Sequence, residues 1–578
     1  MRSGLRSIAT VTPTELPASG VDSTKESIPA HRRAQIRIRS DRGFGSWAAS
    51  VGAQLTFLFE IEAIVMDSLS LSDSLSPPVP GSPRQQRQPP LQQLEQRLQT
   101  AGSYSDWLQL AREHDQLSGA ERWREREESR LYDYAEVRAR RNKLRNLLNA
   151  GAHRELLYAL NEGIHGNMAG MGRPLLYERA RCGTKQLIHS YVAAMVQALE
   201  FIHQAPEAVI SYAEKLDFFR RASHCYGRSA LLLSGGAGLI YFHHGVVQEL
   251  MDQDLLPNVI SGSSAGSIIC GQLGSQTDAE LRAGYFTHKR YVEPTQTHLL
   301  DVVRGRITEQ EAKVARERLL DEVVPLDLTF QEAFEHTGRY INISISPMEK
   351  HQTSRLMNAI TSPNVFIRSA VSASSSIPGL MAPERLFAKG FDGKPRPYLA
   401  SRRWVDGSVA GDLPAKRLMR LYGVNHFIVS QINPLVVPFL RDGKARRSQG
   451  YRGALNEALV KLLRETLVKS ERLLDQRGEL GNRAAAQLAY IIRMLDQDYL
   501  GDINILLDKA DIHWRHIFFD YRPGETDHLV QLGRRATWSN IPRIKNAALV
   551  SKALDRILED LNQTGLQDQA GHIHHLYT

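Results

Sequence analysis

Ser264 stands in Gly262-Ser263-Ser264-Ala265-Gly266, after the apolar pair Val259–Ile260 and ahead of Ser267-Ile268-Ile269. A serine hydroxyl is a weak nucleophile until the chain exposes it and a base takes its proton. A Gly-x-Ser-x-Gly between a strand and a helix achieves the exposure: glycines on both sides let the backbone turn sharply and push the hydroxyl outward. The N-terminus of the following helix then lies behind the serine, where it stabilises developing negative charge. The chemistry suggested is nucleophilic attack on a carbonyl. The pentapeptide is short, and by itself it reads equally well as a structural turn.

Two other segments supply what such a serine needs. Ala230-Leu-Leu-Leu-Ser-Gly-Gly-Ala-Gly238 is a buried-strand run followed by a glycine-rich loop, with a helix expected from Tyr241 to Met251. Glycine amides stand uncovered by side chains and can donate to an anion. A nucleotide-phosphate loop fits poorly. Tyr241 occupies the place of the third small residue of a dinucleotide fingerprint, and no Gly-Lys-Ser/Thr follows. An oxyanion hole beside the serine on the next strand fits better. Farther on, Arg403-Trp-Val-Asp-Gly-Ser408 puts Asp406 at a strand end before a turn, where a carboxylate can accept a proton; an ordinary Asp-Gly turn is the plainer reading. Four histidines after Asp406 (His426, His513, His516 and His528) keep a Ser-Asp-His triad open.

The positioning elements follow from periodicity. Leu231–Leu233, Val259–Ser261, Tyr340–Ile345 and Phe427–Ile432 read as strands separated by helical stretches, the pattern of a parallel α/β core. Amphipathic leucine-rich segments fill roughly 96–225, and helices are expected again after 453. His243 and His244, at the start of the helix after the glycine loop, are expected to pack beside the sheet or to cap it against solvent. Ser372 and Ser374–Ser376 read as a small-residue helix surface near the site, and Asp412 as part of a structural Gly-Asp-Leu-Pro turn.

Taken in order, these pieces resemble the patatin-like phospholipase family, and within it the triacylglycerol lipase subgroup. The resemblance is carried by Leu255–Ser267, Asp406–Pro414 and Gln431–Leu440. Gly501-Asp502-Ile503, Gly533–Trp538, Tyr104–Leu108, Tyr132–Tyr134 and Gly183–Ile188 add to it, so that it spans about residues 100–560. It implies an α/β fold, a three-layer core with a mainly parallel sheet, preceded and followed by helical regions. It implies a Ser-Asp dyad without histidine, Ser264 as nucleophile and Asp406 as base. The oxyanion hole would draw on Gly235, Gly236, Ala237, Gly238 and Ala265, with Gly262 and Gly266 framing the elbow. No cofactor and no metal are implied. The substrate would be a lipid ester at a membrane or lipid-droplet surface, with a phospholipase A, a lysophospholipid acyltransferase or a weakly active lipid-surface scaffold as alternatives. One departure is that Ile240 stands where the family's loop carries its last glycine. Another is that no His-x4-Asp acyltransferase motif is present.

The expected organisation is a disordered or mis-assigned N-terminal extension and linker (1–95), a helical domain (96–225), a catalytic domain (226–440) and a helical C-terminal region (441–578). Pro77, Pro78, Pro80, Pro83, Pro89 and Pro90 punctuate the linker, and residues 1–65 read either as an Arg/Ser-rich transit peptide or as a start-site artefact, with Met66 beginning the natural chain. With 72 Lys+Arg against 63 Asp+Glu, the 578-residue chain carries a net charge of +9, which suits an anionic surface. The basic run Arg441–Arg452 beside apolar Leu435–Leu440 suggests peripheral membrane contact. No finger or interleaved aromatic-basic pattern points to nucleic acid. Three scattered cysteines (Cys182, Cys225, Cys270) are too few for a disulfide framework and suggest an intracellular setting. No stretch of about 20 apolar residues suggests a transmembrane span.

Overall fold

The computed structural model describes residues 89–285, 309–349, 352–377, 381–434, 436–437, 500–517 and 519–577. The extension before Pro89, the basic run Arg441–Arg452 and, of Leu435–Leu440, all but the buried Val436 and Val437 lie outside the described residues.

Among the described residues nine strands are formed: β1 (Arg228–Leu233), β2 (Val259–Gly262), β3 (Tyr340–Pro347), β4 (Arg355–Met357), β5 (Leu386–Lys389), β6 (Pro395–Tyr398), β7 (Trp404–Asp406), β8 (Val424–Gln431) and β9 (Ile503–Leu506). Seven make one sheet in the order β4-β3-β2-β1-β8-β9, with β7 also paired to β3; β5 and β6 form a separate hairpin. The central strands are parallel, with Leu231 opposite Ile260 on one side and Ile428 on the other. Such strands are covered on both faces and therefore read as continuous apolar runs. Leu231 and Leu233 enter the main core with Ile260, Ile343 and Ile345, while Ala230 and Leu232 point into a second cluster with Leu418, Val424 and Val429. β4 and β7 are antiparallel to β3, and the β7 pairing sets Asp406 against Ile345.

The helices used below are α1 (Pro89–Thr100), α2 (Tyr104–Ser118), α3 (Gln186–His203), α4 (Tyr212–Tyr226), α5 (Ile240–Asp252), α6 (Ala265–Ser275), α7 (Ile367–Ser374), α8 (Glu525–Trp538) and α9 (Ile541–Tyr577). α3 and α4 share a core with Val550, Leu554, Ile557 and Leu561 of α9, so the C-terminal helix completes the helical region that precedes the sheet. α2 rests on α8, with Trp107 and Trp538 rings 6.4 Å apart.

Two expectations about extent need correction. The first described helix begins at Pro89, inside the expected linker; prolines suit a helix's first turn, where no N–H partner is lost. The region after 441 is not wholly helical. Ile503–Leu506 adds a parallel strand beside β8, with Ile428 opposite Ile503, so the sheet extends beyond residue 440. The run is only four residues long, too short for its alternation to stand out in sequence.

Candidate active site

Ser264 ends the β2-to-α6 turn with φ 49° and ψ −119°, a conformation L-residues rarely adopt. The turn is tight because both flanking glycines are pressed by backbone: a Cβ on Gly262 would collide with the Gly266 carbonyl, and one on Gly266 with the Leu233 carbonyl. The result is a nucleophile elbow, with Ser264 buried to 6% exposure. The amide of Ser264 donates to Ser374 Oγ (3.0 Å), and that hydroxyl donates to the Ser344 carbonyl of β3 (2.7 Å). Ser374 of α7 therefore braces the elbow, a role that the serine clustering hinted at without identifying it.

Asp406 lies at the end of β7, 1% exposed. Its amide donates to the Ser376 carbonyl (3.0 Å). Its Oδ1 accepts from the Ser408 amide (2.9 Å) and hydroxyl (2.8 Å). Burial pushes its pKa up to about 6, while hydrogen bonding from Ser264 and from Ser408 opposes the rise. The structure thus brings together the two residues that the sequence places 142 positions apart. It leaves the carboxylate readily able to take up a proton.

A second buried carboxylate stands beside the first. Asp412 Oδ1 accepts from the Gly235 amide (2.9 Å) and from the Ser263 hydroxyl, tying the glycine-rich loop to the elbow. Burial pushes its pKa up to about 7, and the neighbouring Asp406 charge adds to the rise. The sequence reading of Asp412 as a plain turn residue missed this link. It also counted Gly235 among the oxyanion donors, and here a correction follows: the Gly235 N–H is engaged by Asp412. The amides of Gly236, Ala237, Gly238 and Ala265 make no hydrogen bond among the described residues. Ala237 has φ 48°, so the loop carries a second strained non-glycine residue.

The histidines are held elsewhere. His243 Nδ1 pairs with Ser430 Oγ (2.7 Å) and Nε2 with the Ser234 carbonyl (2.9 Å); burial lowers its pKa to about 4. His244 is likewise buried in α5, its pKa lowered to about 3 by burial and by His243. Both pack behind the loop as expected. His426 is opposite Ser229 near the beginning of β8, with Ser264 beyond the other end of the strands, and its Nδ1 bonds Ser229 Oγ (3.1 Å). His516 pairs with Glu525 (3.1 Å) and packs edge-on to His513. None of these bonds Ser264 or Asp406.

Comparison with known proteins gives the family. Residues 84–224 match a domain of unknown function (DUF3336), and residues 231–419 match a family model described as patatin-like phospholipase. A patatin-like phospholipase domain-containing protein of Aspergillus fumigatus is 30% identical over 508 residues, covering 82% of this chain and 70% of its own length. The chain belongs to the patatin-like phospholipase family. A similar relative from Aspergillus niger is 30% identical, covering 82% of this chain and 66% of its own. Triacylglycerol lipase SDP1L of Arabidopsis thaliana is 32% identical over 486 residues, covering 80% of this chain and 58% of its own length. The chain thus spans less than two thirds of these last two relatives. Among the described residues of this patatin-like protein, no helix is long and apolar enough to cross a membrane, and no group of three or more His, Cys, Asp or Glu side chains is placed to hold a metal.

Proposed function

We propose that the protein is a serine lipid acyl hydrolase that cleaves the carboxylic esters of acylglycerols through a Ser264–Asp406 dyad. The observation that carries this reading is the juxtaposition itself: a strained serine at a strand-to-helix elbow beside a buried aspartate whose pKa burial raises to about 6.

In this reading Ser264 Oγ attacks the ester carbonyl and Asp406 accepts the hydroxyl proton, directly or through a water. The carbonyl oxygen becomes an oxyanion, stabilised by the amides of Gly236, Ala237, Gly238 and Ala265. One such donor contributes roughly 3–4 kcal/mol in a well-characterised serine hydrolase. Collapse breaks the bond to the leaving alcohol, which takes the proton from Asp406. In deacylation Asp406 accepts a proton from water, hydroxide attacks the acyl-serine, and Ser264 leaves with that proton while fatty acid departs. Apolar Ile268, at 9% exposure just beyond the elbow, and Ile377 suit an acyl chain.

An acylglycerol substrate is favoured by the relative named as a triacylglycerol lipase and by the oxyanion loop, which has no Arg or Lys to draw a phosphate headgroup. We assign the protein to a membrane or lipid-droplet surface as a peripheral enzyme. Fatty-acid release from emulsified long-chain tri- or diacylglycerol, set beside phosphatidylcholine and phosphatidylglycerol vesicles, tests the assignment. Release from the emulsions, lost in Ser264→Ala, is the expected result. Release from the vesicles alone would replace the lipase reading with a phospholipase one.

A further inference from the structure

The glycine-rich loop is gripped at its far end by a segment well beyond the residues matched by the family model. The Tyr521 hydroxyl donates to the carbonyl of Gly238. Gly238 has no room for a side chain, because a Cβ there would collide with the His516 carbonyl and crowd the Tyr521 hydroxyl. This close approach makes glycine necessary at 238, whereas Ile240 can turn its side chain into the core at 7% exposure. Burial pushes the Tyr521 pKa upward, keeping the phenol protonated and able to donate.

Tyr521 is itself firmly held. Its ring stacks on His516 (centroids 5.3 Å, 26°) and meets Tyr241 of α5 edge-on at 5.3 Å. Glu525, the first residue of α8, binds His516 (3.1 Å), Arg515 (2.9 Å) and the Arg522 amide (2.7 Å), fixing the 515–525 turn. These hydrogen bonds keep the Glu525 carboxyl low, at about 2, despite the opposing desolvation, so it stays charged. α8 lies directly on α5, the helix that the loop leads into. A Cβ on Gly533 would strike the Phe242 carbonyl, and one on Gly245 the Val530 carbonyl.

We infer that Tyr521 is a positioning residue for ester hydrolysis: by holding the Gly238 carbonyl it anchors the Gly238–Leu239 peptide, whose N–H is already given to the Gly236 carbonyl (3.1 Å), and so steadies the turn that carries the Ala237 and Gly238 amides. Asp412 grips the loop at the Gly235 amide, and Tyr521 at the Gly238 carbonyl; the amides of Gly236, Ala237 and Gly238 lie between the two grips. This inference rests on the Ser264–Asp406 reading above.

The test compares full-length wild type, Tyr521→Phe and Ser264→Ala on p-nitrophenyl butyrate, a soluble ester, with melting temperatures and the rate of fluorophosphonate labelling. A fluorophosphonate adduct places its phosphoryl oxygen in the same hole. Tyr521→Phe keeps both ring contacts and removes one buried hydrogen bond, so kcat should fall roughly five- to tenfold. KM should stay within about twofold, since ground-state binding is untouched. Labelling should slow by a similar factor, with a melting temperature lowered by no more than a few degrees, as expected for one lost hydrogen bond. Unchanged kcat and labelling in Tyr521→Phe, beside an active wild type, would overturn the positioning role and leave the dyad intact. Loss of kcat in step with a lowered fraction of labelable enzyme would also overturn it, because the effect would then be one of folding. Activity that persists in Ser264→Ala would instead sink the underlying catalytic reading.

Discussion

Replacing Ser264 by glycine should give a more stable protein than replacing it by alanine, although both are inactive. The backbone at 264 (φ 49°, ψ −119°) lies outside the regions open to L-residues, and ψ takes it beyond the ordinary left-handed basin. Such strain costs of order 1–3 kcal/mol, and the upper part of that range, about 2–3 kcal/mol, applies here. Both variants lose the hydroxyl and its hydrogen bonds, so those contributions cancel. Glycine relieves the strain but gives the unfolded chain more freedom, at a cost of about 0.5–1 kcal/mol. It also forgoes burial of one methyl group, roughly 0.8 kcal/mol. The balance favours glycine by roughly 1 kcal/mol. Paired thermal and urea denaturation of the two variants, run side by side, would read this difference. Alanine as stable as glycine, or more so, would refute the idea that the elbow stores strain at the nucleophile.

With Asp406 titrating at about 6, kcat/KM on a soluble ester should rise from pH 5 to 7 and level above; a profile flat across that window would contradict its role as base. Asp406 and Asp412 both titrate above the ordinary 3.8, so the folded state holds protons that the unfolded state has released. Stability should therefore fall as pH climbs from about 4 through 7, and Asp412→Asn should flatten that dependence in pH-resolved melting curves. Asp412→Ala should lose about 10-fold or more in kcat by freeing the Gly235 amide and the Ser263 hydroxyl, whereas Asp412→Asn, which keeps an acceptor oxygen, should lose less. His426→Asn should retain Ser264-dependent hydrolysis, because His426 sits at the far end of its strand; abolished turnover in a folded His426→Asn protein would revive a triad.

The sheet and the elbow were legible because buried parallel strands write themselves as apolar runs and a sharp strand-to-helix turn writes itself in glycines. Leu231–Leu233 and Val259–Ser261 fall within strands β1 and β2, and the helix expected from Tyr241 to Met251 runs from Ile240 to Asp252. What sequence concealed depends on long-range approach. Ser374 bonds the Ser264 amide from 110 residues away, and Tyr521 reaches Gly238 across 283. Neither leaves a local pattern. Asp412 sits in a Gly-Asp-Leu-Pro stretch indistinguishable from a surface turn, and only its bonds to the Gly235 amide and the Ser263 hydroxyl show that it joins loop to elbow. Gly235 was misplaced among the donors for the same reason: glycine marks an exposed amide, but its partner lies 177 residues on.

Site-mapped labelling by a fluorophosphonate most directly tests the central claim that Ser264 is a nucleophile activated by Asp406. Peptide mass spectrometry should find the adduct on Ser264 of the wild type. Ser264→Ala should take up no label, and folded Asp406→Asn should be labelled slower by orders of magnitude. An adduct on another residue, or labelling of Asp406→Asn at the wild-type rate, would contradict it.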